Sequence, residues 1–443
     1  MKNVLVLAPD FVPSSAPPAL RLRFLMSHLR EFGWDPIVLS VDPSRYEHPV
    51  DPENECLLPG DIEVIRASAA AASVTRKFGV GDLGLRSLRP MWKALCGICE
   101  ERRIDLIFSS VPPYPTMVLA RRAYDRFRIP YVIDYQDPWV TDYYAGRPKH
   151  ERPPKWRWFH AMASRAEPFA LKRVAHITGV SSGTTELVRE RYPFLGDVGS
   201  TEIPIGVEPA DFDYVRRHSR PNRMFDPKDG LVHVCYVGVC IPGMHQAIRA
   251  LFDAVRRGRG EAPETFSRLR LHFIGTTYAQ SAVEQVMPIA REAKIADIVS
   301  EHPARIPYLD AVQMLLDSSA VLLFGSDAPH YTASKLFPCV QAQKPLLAIF
   351  HRESTVVSIA AETRAGTVFT FDNHGDSPAA RVRDIQAWLA MLLTSSQQLQ
   401  PRTDWKAFEN YTARAMAGRL CGVFDRVTEC KQELVAVGAR MEV

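Results

Sequence analysis

The sequence predicts an α/β protein built from two successive parallel-sheet domains, and three observations lead there. Short apolar runs of strand type alternate with longer stretches of helical period from the first residues onward. That alternation is interrupted by a polar stretch at 213–230 and then restarts. The length of 443 residues gives each half enough material to bury its own core.

In the first half, strands are expected at 4–8 (VLVLA), 36–41 (PIVLSV), 105–110 (DLIFSS), 130–135 (PYVIDY) and 176–181 (HITGVS). The amphipathic stretches at 19–33, 88–103 and 116–128 read as crossover helices that cover the faces of a parallel sheet. In the second half, strands are expected at 231–238, 269–275, 297–302, 320–325, 345–350 and 366–371, with helices in the gaps. The expected organisation is a first domain over 1–213, a linker over 214–230, a second domain over 231–403 and a terminal helix over 404–443 that returns to the first domain. Two facing parallel-sheet domains imply a cleft, with ligands outside the carboxyl ends of the strands.

Composition narrows the function. Lys and Arg number 54 against 50 Asp and Glu, a net charge of +4 that is too mild for a dedicated nucleic-acid binder. No apolar run is long enough to span a bilayer, and MKNVLVLAPDF reads as a strand rather than a signal peptide. A cytoplasmic protein is expected. Eight scattered cysteines fit a reducing compartment, and the lone C-x-x-C of Cys96 and Cys99 lies in a helical stretch and reads as structural.

The first strand is followed by PDFVPSSAPPALRLRF, with no G-x-G-x-x-G, so a nicotinamide-binding first domain is not expected. Ser14, Ser15 and Ala16 are small residues between strand and helix, where backbone can approach a ligand, and Pro17 and Pro18 suit a helix start. The same residues also suit a plain strand-to-helix loop. Asp134, Gln136, Asp137 and Trp139 fall at the carboxyl end of a strand, with Ser110 and Pro112 at the end of another. Asp137 reads either as a general base for a hydroxyl or as the cap of a following helix begun by Pro138. Ser334 and Lys335 read from spacing alone as an N-cap and a solvated charge.

Several blocks carry a resemblance. IDLIFSSVPPYPTMVLARRAYDRFRIPYVIDYQDPW (104–139) resembles a recurring block of the family 4 glycosyltransferases, sugar-nucleotide-dependent enzymes with two facing Rossmann-like domains, the GT-B fold. PDFVPSSAPPALR, EPFALKRVAHITGVS (167–181), IPIGVEPADF (203–212) and SKLFPCVQAQKPLLAI (334–349) are similar to further blocks of that family, in the same order. The resemblance implies a nucleotide-diphosphate sugar in the second domain and a glycan, glycolipid or other hydroxyl acceptor on the first, with retention of anomeric configuration and neither metal nor cofactor.

On that resemblance, donor contacts fall to Gly238, His245, Arg305, Ile306, Tyr308, His330, Thr332, Ala333, Ser334 and Lys335, and acceptor-side contacts to Ser15, Ala16, Ser110, Pro112, Asp134, Gln136 and Trp139. Asp137 and Lys335 carry the catalytic expectation. Helix-start amides at Thr332 to Ser334 and the Lys335 ammonium would oppose a diphosphate. ARIPYLDA (304–311) resembles the segment that holds the nucleobase, with Ile306 and Tyr308 as an apolar face. The chain also departs from the family. His330 and Pro338 occupy the places of its Glu-x7-Glu pair, only His245 follows the sixth strand where basic residues are usual, and Gln136 replaces an arginine. These departures give a second expectation, a GT-B protein with a degenerate donor site that acts as a binding or scaffolding partner. Residues 121–175 hold 12 Lys and Arg against 6 Asp and Glu, with Trp156, Trp158 and Phe159 among them. That interleaving suits either peripheral contact with an anionic membrane through 147–173 or an exposed helix with inward aromatics.

Overall fold

The computed structural model describes residues 1–441 except His48, Tyr143, Pro154, 278–282, 329–333 and 373–375, and of 430–441 the helix alone. The chain forms two compact units, Met1–Gly206 with Ala413–Val443, and Val207–Thr412.

The first unit holds β1 (Lys2–Leu7), β2 (Trp34–Val41), β3 (Glu63–Ala67), β4 (Leu106–Val111), β5 (Tyr131–Tyr135), β6 (His176–Gly179) and β7 (Gly199–Glu202). They form one sheet in the order β3-β2-β1-β4-β5-β6-β7, parallel throughout. Because strand side chains alternate, the sheet has two apolar faces. Leu5, Leu7, Ile107 and Ile133 pack with Met91, Leu95 and Met117 on one of them. Val4, Val6, Phe108 and Val132 pack on the other with Leu22, Leu25, Leu420 and Phe424. The last two belong to the helix Ala413–Met441, which returns to this unit as expected. Phe424 meets Trp34 and Phe108 edge-on at 5.1 and 5.4 Å. Asp425 accepts from the Lys2 ammonium at 2.9 Å and the Trp34 indole at 3.2 Å.

The second unit holds β8 (Val232–Val237), β9 (Leu269–Ile274), β10 (Val299–His302), β11 (Ala320–Phe324), β12 (Leu346–His351) and β13 (Thr367–Phe371). Their order is β10-β9-β8-β11-β12-β13, again all parallel. Val234, Tyr236, Leu271, Phe273, Leu322 and Phe324 pack with Ile248, Leu251 and Phe252 of the helix His245–Glu261 and with Trp388 and Leu389 of the helix Val382–Ser395.

Three local expectations change. The strands β3 and β7 are additional to those expected, because both are edge strands of mixed polarity (EVIRA and GSTE) and lack an apolar run. The units divide at Gly206 and Val207, upstream of 213, and the polar stretch that follows is packed into the second unit. Residues Pro209–Arg217 form a helix, Arg220 pairs with Asp310 at 2.6 Å, Asn222 donates to Asp317 at 3.1 Å, and Phe225 stacks on His233 at 4.4 Å. Finally, the stretch 405–438 is interrupted. Trp405–Phe408 and the tight turn Glu409–Tyr411 stay with the second unit, where Tyr411 stacks on Phe337 at 5.2 Å. Among the described residues no helix is long and apolar enough to cross a membrane.

Candidate functional site

The carboxyl ends of the first sheet gather most of the acceptor-side residues, in two different states. Asp134, on β5, is fully buried and receives four hydrogen bonds: Arg21 Nε and Nη2 at 3.0 and 2.8 Å, Ser110 Oγ at 2.8 Å and Thr178 Oγ1 at 2.8 Å. Burial alone would raise this carboxyl, but the Arg21 guanidinium and the two hydroxyls outweigh it and hold it below the usual range. Gln136 is also buried and donates to Ser110 at 3.4 Å. Asp134, Ser110 and Gln136 thus form one inward-facing network that braces β4, β5 and β6. Of the residues expected on the acceptor side, these three are buried and hydrogen-bonded within the first unit, Asp134 to Arg21, Ser110 and Thr178 and Gln136 to Ser110. Ala16 is likewise buried, at the cap of the helix Pro17–Met26, whose first turn carries Pro17 and Pro18.

Ser15, Pro112, Asp137 and Trp139 reach the surface. The Ser15 hydroxyl donates to the Pro49 carbonyl at 3.0 Å, and the Trp139 ring lies parallel to Tyr114 at 5.5 Å. No helix follows Asp137, so it caps none. Its carboxyl is pushed upward by partial loss of hydration, which makes it a better proton acceptor than an ordinary surface aspartate. A residue without an assigned role in the sequence reading sets this loop. Glu167, buried on the helix Trp156–Leu171, accepts from Tyr135 at 3.0 Å, Tyr192 at 2.9 Å and the Val140 amide at 3.2 Å. Burial raises its carboxyl, and the donors only partly offset that. The sequence signal was a single acid in an otherwise apolar helical turn.

In the second unit, the loop after β8 begins at Gly238, whose φ of +155° and lack of a side chain leave room for Lys335. A Cβ at Gly238 would lie 3.4 Å from Lys335 Cε and 3.4 Å from Tyr236 Oη. Lys335 opens to solvent at the start of the helix Leu336–Gln341, yet the surrounding protein lowers its pKa, and repulsion from Arg305 lowers it further. Among the described residues neither cation has an acidic partner. Of the expected donor residues, Lys335 therefore lies against Gly238, and Arg305 is near enough to act on the Lys335 charge. Ser334 is half-buried beside Lys335. His245 opens the helix His245–Glu261, and its Nε2 is buried without a hydrogen-bond partner. Ile306 is half-buried, while Tyr308 is pinned through its hydroxyl, which donates to Asp211 at 2.8 Å. His330, Thr332 and Ala333 lie outside the described residues. Pro338 sits inside the helix Leu336–Gln341, where it offers no carboxylate. Among the described residues no group of three His, Cys, Asp or Glu could hold a metal ion.

Two parallel sheets, each wound by helices, with a cation pair at the carboxyl ends of the second, define a GT-B-fold protein. Residues 18–195, within the first unit, match the family model described as a glycosyl transferase 4-like domain. The chain has no match among curated proteins. Solved structures share its fold over nearly their whole length. One is HepE from Anabaena, in complex with UDP and glucose (14% identity, 99% of this chain and 100% of that one, TM-score 0.53). A second is a glycosyltransferase from Rickettsia africae (12% identity, 96% and 98%, TM-score 0.55). A third is a UDP-forming α,α-trehalose-phosphate synthase from Burkholderia vietnamiensis (11% identity, 97% and 99%, TM-score 0.58).

Proposed function

We propose that the chain is a glycosyltransferase that moves a hexose from a UDP-sugar, bound by the second unit, to a hydroxyl of a glycan or glycolipid acceptor bound by the first, with retention of configuration. The observation that carries this reading is Lys335, which lies against Gly238 without an acidic partner among the described residues while Arg305 adds a second positive charge near it. Two like charges held within reach of each other are unfavourable alone and become favourable when a diphosphate lies between them and the glycine backbone. Arg305 thereby supplies the positive charge that the sequence lacks after β8. The uridine preference is supported by relatives of the same fold, one solved with UDP and glucose and another UDP-forming.

In the reaction, the bond between the anomeric carbon and the diphosphate oxygen breaks while the acceptor oxygen bonds to that carbon. Lys335 and Arg305 stabilise charge on the departing UDP, and the acceptor proton passes to that phosphate. Asp137, with its raised carboxyl, orients the acceptor hydroxyl. Titration with UDP-, GDP-, ADP- and TDP-sugars, read by thermal shift, tests the proposal. A rise in Tm confined to UDP-sugars supports it by the linkage of binding to stability. Pro338, in place of a carboxylate, favours a second reading, a non-catalytic partner in glycan assembly. Absence of a shift with every donor selects that reading.

A further inference from the structure

We infer that the first unit docks on an anionic lipid bilayer through a face built from two segments distant in sequence. The first is the tight turn Arg76–Phe78, closed by Gly79 at a φ of +80°. Its tip, Phe78, is 79% exposed, the preceding Val74 is 55% exposed, and Arg76 and Lys77 flank the ring. The second is the start of the helix Trp156–Leu171, where Trp158 is 55% exposed and braced edge-on by Phe159 at 4.9 Å. Gly79 joins the two, because a Cβ there would overlap the Lys155 side chain. Trp158 stands one turn beyond Lys155 on that helix.

Beside the turn lies a hollow of about 920 Å³, whose lining includes Phe78, Val80, Arg89 and Lys93. Arg89 and Lys93 are four residues apart on the helix Leu83–Glu101, so they share its outer face. Lys77, Arg89, Lys93, Lys155 and Arg157 are exposed and make no ion pair among the described residues. The neighbouring acids are already engaged: Glu47 with Arg76 and Arg86, and Glu151 with Arg147. Asp82 caps its own helix. The face therefore presents two protruding aromatic side chains within a field of uncompensated positive charge.

A bilayer is the occupant that this combination favours. A lone phenylalanine on a convex turn would need a matching hole in a protein partner, whereas the headgroup boundary accepts it without one. The unpaired cations complement acidic headgroups. The proposal is independent of the transfer reaction, because vesicle binding is read without a sugar donor.

The test is flotation of the full chain with phosphatidylcholine vesicles, with and without phosphatidylglycerol, at low and high salt, alongside tryptophan fluorescence. Binding to the anionic vesicles, weakened by salt and accompanied by a blue shift, is expected. Combined Phe78→Ser and Trp158→Ser should weaken it about tenfold or more, as should combined Lys77→Glu and Arg157→Glu. All four side chains are exposed, so the variants should keep the parent Tm. Equal binding to neutral vesicles, wild-type binding by the serine variant, or binding abolished by heparin with no blue shift would each overturn the proposal. The last outcome would mark a general polyanion site.

Discussion

The two units carry charge at the same place in their folds, outside the carboxyl ends of a parallel sheet, and use it in opposite ways. In the first unit, Arg21 and Asp134 are 1% and 0% exposed, and their charges cancel inside a network that includes Ser110 and Thr178. In the second, Lys335 and Arg305 have the same sign, face solvent and have no acidic partner among the described residues. A cancelled pair holds strands together, whereas an uncancelled pair needs something from outside. On the proposed function, the difference separates scaffold from binding site within one architecture, which residue type alone does not do.

The contrast breaks most directly at Arg21. Replacing it with Ala leaves a buried carboxylate without its guanidinium, and about 3–5 kcal/mol of stability should be lost. Chemical denaturation measures this, and a loss below about 1 kcal/mol would show that Asp134 finds another partner. Lys335→Ala should do the converse. Stability should hold, while turnover falls by roughly two to three orders of magnitude, the usual cost of one group that stabilises charge in a transition state. A variant that keeps near wild-type turnover removes Lys335 from the reaction.

The same contrast shows what was legible in the sequence. The central strands of both sheets were, because a parallel sheet covered on both faces writes itself as continuous apolar runs such as VLVLA and AVLLF. The edges β3 and β7 were not, since one side of each lies open and the residues there are free to be polar. At the site, Gly238 and Lys335 were singled out only by the resemblance of their blocks, because spacing alone reads Lys335 as a solvated charge. Asp134 was placed at the right strand end, but its buried ion pair was not legible, because its partner Arg21 lies 113 residues away in sequence. Arg305 as a source of charge on Lys335 required the fold for the same reason.

Acid should affect the two units alike, despite their different sites. Burial, with Arg426 adding to it, lowers His176 of the first unit to about 4, and burial, with His233 and Arg270, lowers His272 of the second to about 4. Both imidazoles fold neutral, while the unfolded forms take up a proton near pH 6.5. Their contribution is therefore complete above about pH 6.5 and is lost as the pH falls towards 4, amounting to about 2 kcal/mol per histidine by pH 5. Denaturation midpoints at pH 7 and 5 measure the loss. His272→Gln should reduce the acid sensitivity of the second unit only, and an unchanged pH dependence would mean that the His233–His272 contact at 2.9 Å stabilises the protonated ring as well as the neutral one.

Gly238→Ala gives the smallest effect and the finest test of the second site. The backbone there has a φ of +155°, which a side chain tolerates poorly, and the new methyl would sit 3.4 Å from Lys335 Cε. A loss of stability of about 1 kcal/mol is expected, read as a lower Tm, and if the methyl packed against the Lys335 stem shifts its ammonium, the KM for the sugar donor should rise by about tenfold. The split between the two readings is informative. A loss of stability without a change in KM would make Gly238 a turn glycine only, whereas a rise in KM at nearly constant Tm would show that its missing side chain serves the position of Lys335.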